Sequence, residues 1–270
     1  MNLLARPWLS AALLAVLIFM PWSASAGMTP EEVNAFEGYK AEALKGDPLA
    51  QFNLGFCFAQ GLGVVNDRVE AVKWYRKAAD QGITDAQTNL GNCYFAGAGV
   101  AKDMVEAAKW YRKAADLGDD NAQANLGNCY AAGEGVAKDR VEAVKWWRKA
   151  ADQGYAQAQY NLGLSYDNGL GVAKDMVEAV KWYRKAAYQG NANAQNNLGY
   201  CCSNGLGVVK DMVEAYAFYN LAGITDETSR KNRDMLEKKL SPEAVLRGQQ
   251  RTKELQKEID ANIFLKQLGA

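Results

Sequence analysis

From residue 48 onward the apolar positions follow one pattern, and the pattern recurs. In its first copy Ala50, Leu54, Cys57 and Phe58 stand at i, i+4, i+7 and i+8, the spacing of a single buried helix face. The stretch "AQGLGVV" then supplies two glycines for a loop. A second helix is predicted to open at Asp67, with Glu70 three residues on in the spacing of a capping box. Asp103/Glu106, Asp139/Glu142, Asp175/Glu178 and Asp211/Glu214 repeat that pair. Gly82, Gly118, Gly154 and Gly190 stand where a left-handed helix end favours glycine. Gly55 inside the first helix costs about 1 kcal/mol against alanine, which implies close approach of a neighbouring helix.

The period is 36 residues, and the blocks are 48–83, 84–119, 120–155, 156–191 and 192–227. Leu54, Leu90, Leu126, Leu162 and Leu198 align, each followed by glycine; Trp74, Trp110, Trp146 and Trp182 align with Phe218. Neither helix of a block can bury its apolar face alone, so the blocks must stack. The predicted fold is all-α, an α/α superhelical solenoid of helix-turn-helix repeats. Residues 27–47 read as an N-terminal capping helix: Ala35, Tyr39, Ala43 and Gly46 lie 36 positions before Ala71, Tyr75, Ala79 and Gly82. Residues 228–270 read as a helical cap, with a polar helix to about Leu240 and a longer one opened by Ser241-Pro242. Leu255, Ile259 and Ile263 give that last helix a thin apolar stripe.

The chain starts with Arg6 ahead of an apolar run from Leu9 to Met20, then Pro21 and Ala24-Ser25-Ala26. That order reads as a signal peptide over 1–26, cleaved near Ala26/Gly27, and the apolar run is shorter than the roughly 20 residues of a membrane span. The expected location is periplasmic or secreted, with no membrane span in the mature chain.

Charge and chemistry narrow the function further. The chain has 31 basic and 31 acidic residues, and removing 1–26 takes away only Arg6. A near-neutral chain has no field to attract nucleic acid. It has no histidine, which excludes Ser-His-Asp and Cys-His catalysis and the commonest zinc ligand. Carboxylates or lysines catalyse only from an arranged site, and none is visible in the sequence. No enzyme activity, metal or cofactor is therefore expected.

The segment "AQTNLGNCYFAGAGVAKDMVEAAKWYRKAADLGD" resembles a Sel1-like repeat, a relative of the tetratricopeptide repeat with a longer loop. The likeness covers about residues 35–227 and implies a right-handed superhelix that acts as a protein–protein interaction scaffold. A second function follows from cysteine-rich relatives, cell-wall or β-lactam hydrolases and penicillin-binding proteins. Those staple each repeat with cysteines eight apart, a spacing that no two of the cysteines here have.

Cys57, Cys93, Cys129 and Cys201 share one register, with Ser165 in the fourth place. Inert core thiols are expected there; the other reading is a redox or metal cluster, with vicinal Cys201-Cys202 as its focus. Gly97-Ala98-Gly99 and its equivalents read as plain loops, the alternative being a phosphate site. Lys73, Arg76 and Lys77 recur as a basic stripe, read as a solvated outer face and not a nucleic-acid track.

One column is unbroken: Asn53, Asn89, Asn125, Asn161 and Asn197. Beside it two positions vary, Phe52/Thr88/Ala124/Tyr160/Asn196 and Phe56/Asn92/Asn128/Leu164/Tyr200. The resemblance implies that these first-helix positions line a concave groove. The candidate partner site is Asn53, Asn89, Asn92, Asn125, Asn128, Asn161, Asn197, Tyr160 and Tyr200. In one reading the amides clamp a peptide backbone and the varying neighbours select side chains; in the other, each asparagine bridges to the neighbouring repeat.

Overall fold

The computed structural model describes residues 28–268, so the leader expected over 1–26 lies outside the described residues. Thirteen helices and no strand are present among them. The capping helix is α1 (Pro30–Leu44). The first helices of the repeats are α2 (Pro48–Gln60), α4 (Thr84–Ala96), α6 (Asp120–Ala132), α8 (Ala156–Asn168) and α10 (Ala192–Asn204). The second helices are α3 (Arg68–Asp80), α5 (Met104–Asp116), α7 (Arg140–Asp152), α9 (Met176–Ala187) and α11 (Met212–Ala222). Two more close the chain, α12 (Glu227–Glu237) and α13 (Pro242–Gln267). None of these helices is long and apolar enough to cross a membrane.

Within a repeat the two helices touch where the sequence placed a glycine. A Cβ on Gly55 would lie 2.8 Å from the ring of Tyr75, and one on Gly91 2.7 Å from Tyr111. Gly127, Gly163 and Gly199 meet Trp147, Tyr183 and Tyr219 in the same way. The helix-propensity cost is offset by packing an aromatic ring flat against backbone.

Between repeats the contact is more polar than the pattern predicts. The second loop glycine has positive φ, and Gly63 lies against the backbone of Glu32 in α1. Gly99, Gly135, Gly171 and Gly207 lie likewise against Arg68, Met104, Arg140 and Met176, at the start of the preceding second helix. Buried Gln51, Gln87, Gln123, Gln159 and Gln195 each donate from Nε2 to a carbonyl near the end of the preceding second helix, that of Ala43, Ala79, Ala115, Ala151 or Ala187. Their Oε1 atoms accept from Gln81, Gln153 and Gln189 at 2.7–2.9 Å in three of these seams. Where Leu117 replaces that donor, Gln87 Oε1 is buried with no partner.

Two expectations are corrected here. The Asp–Glu pairs do not form capping boxes. Asp67 caps α3 by accepting from Val69 and Glu70, but its own N–H already donates to the Phe58 carbonyl at 2.9 Å. The four equivalents do the same, so the glutamates turn instead to Lys73, Lys109, Lys145 and Lys181. Among the described helices only α1 has the reciprocal box, Thr29 with Glu32. Nor is the basic stripe a freely solvated face. Arg76, Arg112 and Arg148 cross to the next repeat, where each donates to a tyrosine hydroxyl, of Tyr94, Tyr130 and Tyr166. Lys77 and its equivalents lie over their own tryptophans at 3.7–4.0 Å.

Candidate functional site

The first helices share a face on which the asparagine column runs, half-buried at each of its five positions. The structure joins its members in pairs with the second variable position. Tyr111 donates to Asn92 Oδ1 at 2.7 Å, and Asn125 Nδ2 reaches the same oxygen at 3.3 Å. One repeat on, Trp147 Nε1 donates to Asn128 Oδ1 at 3.0 Å and Asn161 Nδ2 joins it at 3.1 Å. Where this position holds Phe56 or Leu164 the shared oxygen is absent: Asn89 and Asn197 make no bond of that kind, and Tyr183 donates instead to Asp167 Oδ2 at 3.1 Å. Asn53 shows no such bond, and Tyr200 stands exposed at the far end of the column.

The indole fixes the orientation at Asn128. An indole N–H only donates, so the Asn128 oxygen must face it and the amide nitrogen must face away. Asn92 sits identically under the Tyr111 hydroxyl. Both side chains are exposed, and each thus presents two N–H donors outward, one repeat apart. Burial pushes the hydroxyls of Tyr75, Tyr111 and Tyr183 far above the usual tyrosine range, so they stay protonated and act as hydrogen-bond donors.

The first variable position departs from expectation. Thr88 and Ala124 are buried, and Thr88 donates at 3.1 Å to Oδ1 of Asp119, the residue that caps the next first helix, α6. Phe52 and Tyr160 pack on Tyr75 and Tyr183, with ring centres 5.9 and 6.1 Å apart. Asn196 accepts from Ser229 and Asn232 of α12. This position therefore belongs to the packing between helices, because a first helix turns it toward its own second helix and the following repeat.

The thiols are all free. Cys57, Cys129, Cys201 and Cys202 are buried, Cys93 half so. Burial pushes Cys57, Cys129 and Cys202 up to about 11 and Cys201 up to about 12, which suppresses the reactive thiolate. Cys202 stands where the second, third and fourth repeats hold the arginine-binding tyrosine, and Arg184 accordingly lacks the hydroxyl that its equivalents bind. The sequence reading missed the glutamine column and the arginine–tyrosine staples. Both were visible as unbroken registers, at 51/87/123/159/195 and at 76/112/148.

A family model described as the Sel1 repeat matches residues 48–83, 84–119, 120–155, 156–191 and 192–223. The chain belongs to the Sel1-repeat family. Among solved structures it is similar to c5321, a protective antigen of uropathogenic Escherichia coli strains displaying an SLR fold, at 37% identity and TM-score 0.77. That match covers 86% of this chain and 50% of the other, so the chain spans half the length of that relative. A Sel1 repeat protein from Oxalobacter formigenes is 35% identical with TM-score 0.67, covering 76% and 87% of the two chains. Immunity protein Pa5087 from Pseudomonas aeruginosa shares the fold at 23% identity and TM-score 0.52, covering 83% and 84%. A search of curated proteins returned no match. Sel1-repeat proteins in general serve as protein-interaction scaffolds, not enzymes.

Proposed function

We propose that this Sel1-repeat array is an exported scaffold that holds a polypeptide along the asparagine face of its first helices. The observation that carries this reading is the paired orientation of Asn92 and Asn128. Their oxygens are occupied inside the array while their N–H groups point out, suited to carbonyl oxygens of a bound chain. The leader-like start supports the exported reading, in the periplasm or outside the cell.

The test is in-cell crosslinking with mass spectrometry on wild type and an Asn92→Asp/Asn128→Asp variant. Aspartate retains the oxygen that accepts from Tyr111 and Trp147 but removes the outward donors. Loss of one specific partner, with an unchanged melting temperature, is the expected result. Unchanged capture by an equally stable variant would remove the groove as the site.

A further inference from the structure

The N-terminal end of the array is unfinished in a defined way. Helix α1 occupies the place of a second helix, with α2 packed on its far side, and no first helix precedes it among the described residues. In every repeat the alanine equivalent to Ala35 is at most 1% exposed, and the tyrosine equivalents of Tyr39 are buried at positions 75, 111, 183 and 219. Here Ala35 is exposed and Tyr39 half-buried. A Cβ added at Gly38 would meet nothing within 4 Å. Ala35, Gly38, Tyr39 and Glu42 form an i, i+3, i+4, i+7 stripe that, with Leu49 and Asn53 of α2, lines an open hollow of about 600 Å³.

We infer that this hollow is a docking site for one amphipathic α-helix of a partner protein. The five repeats show what covers this face: a helix with alanine, leucine and glycine in the pattern Ala-x-x-x-Leu-Gly, the glycine lying on the tyrosine ring. The occupant therefore presents a small residue over Tyr39 and an apolar flank to Leu49. Its exposed face is basic, since residues 30–47 hold five carboxylates against two lysines and Glu42 and Asp47 stand at the rim.

The chain's own preceding residues do not match. Counting back one period from Pro48–Gln60 gives residues 12–24, which put Phe19 where all five repeats have glycine and Pro21 inside the helix. A second copy has no first helix to offer, because all five are packed within their own array. The site is separate from the Asn92/Asn128 pair, so either reading can fail without the other.

The probe is a helix-stapled peptide with the sequence of residues 84–97, Cys93 replaced by alanine and two lysines added at its end. It is titrated into the ¹⁵N-labelled full chain. Saturable shift changes confined to Ala35, Gly38, Tyr39, Leu49 and Asn53 are expected, with at least tenfold weaker binding by Tyr39→Ala protein. A peptide with phenylalanine at its glycine is expected not to bind. Absence of shifts, shifts elsewhere, or equal binding by the phenylalanine peptide would overturn the inference. Tyr39 is half-exposed, and an unchanged melting temperature for Tyr39→Ala shows that the variant is folded.

Discussion

The two ends of the array begin from the same second-helix template and finish differently. At the C-terminal end, α11 has exchanged the repeating Lys, Arg and Lys positions for Ala217, Asn220 and Leu221, and the valine or alanine position for Tyr216. These changes let α13 lie directly on it. Leu255 and Ile259 are buried, Gly248 admits the Tyr216 ring, and Arg251 donates to Glu214 at 2.8 Å in place of the missing lysine. Helix α13 then runs back across the array, where Asn262 donates to the Tyr188 carbonyl and Lys266 to that of Gly154. At the N-terminal end, α1 keeps the alanine and tyrosine that a preceding first helix would cover, and among the described residues Ala35 is left exposed and Tyr39 half-buried. An end finished by its own chain carries complementary substitutions on both sides of the contact. An end left for a partner carries the receiving residues alone.

The largest way to test that contrast is alkaline pH. All five thiols are raised by burial above their value in an unfolded chain, which ionises near pH 9. Their neutral form favours the folded state. The associated stability is intact below pH 9 and is lost as pH rises toward 11–12, through the folded values. Cooperative unfolding in that window is expected by circular dichroism. Alkylation followed by mass spectrometry should show half-buried Cys93 and Cys57, nearest the open end, modified before Cys201 and Cys202 beneath the seal. Reaction of Cys202 first would mean that the C-terminal end is the weaker one.

Next is Leu255→Ala. Leu255 is fully buried between α11 and α13, and removing its side chain is expected to cost about 2–5 kcal/mol by denaturant melt. A loss below about 1 kcal/mol would show that α13 is an appendage, not a seal.

Much of this was legible beforehand, for a physical reason. Apolar periodicity, five glycine–aromatic registers and the 36-residue offset are all one-dimensional, so the solenoid, its five repeats and the register of the cysteine column followed from counting. The missed contacts are polar and lie across seams. Glu70 is at capping-box spacing, but whether its target N–H is free depends on the Phe58 carbonyl, which the loop brings back over seven residues. Whether Thr88 faces a groove or the next repeat depends on helix rotation, which a single column does not reveal. Of the candidate groove, the sequence shows the asparagine register, but that Tyr111 and Trp147 orient Asn92 and Asn128 follows only from the fold.

The seams themselves offer a smaller effect. Leu117 is exposed and sits where Gln81, Gln153 and Gln189 donate to the glutamine column, leaving Gln87 Oε1 buried and unpaired. Leu117→Gln should supply that donor and raise stability by about 1 kcal/mol, with removal of exposed apolar surface adding solubility. Gln81→Leu should lose a similar amount, since it would recreate the same defect at Gln51. If Leu117→Gln is neutral, a water already serves Gln87 and the seam is wetter than it looks.

The smallest effect contrasts two glycines in the terminal helices. A Cβ at Gly248 would stand 2.5 Å from the Tyr216 ring, so Gly248→Ala must push α13 off α11 and is expected to destabilise by about 1–3 kcal/mol. At Gly38 the same substitution meets open space on an exposed helix, and helix propensity alone governs it: a gain of up to about 1 kcal/mol. Opposite signs from one substitution at equivalent helical conformation would isolate packing from propensity. Gly38→Ala has a further consequence at the open end. The added methyl stands in the hollow beside Tyr39, so it should stabilise the free protein while weakening the stapled helix in the titration. A stabilised protein with undiminished peptide binding would place the bound helix away from Gly38, toward Leu49 and Asn53.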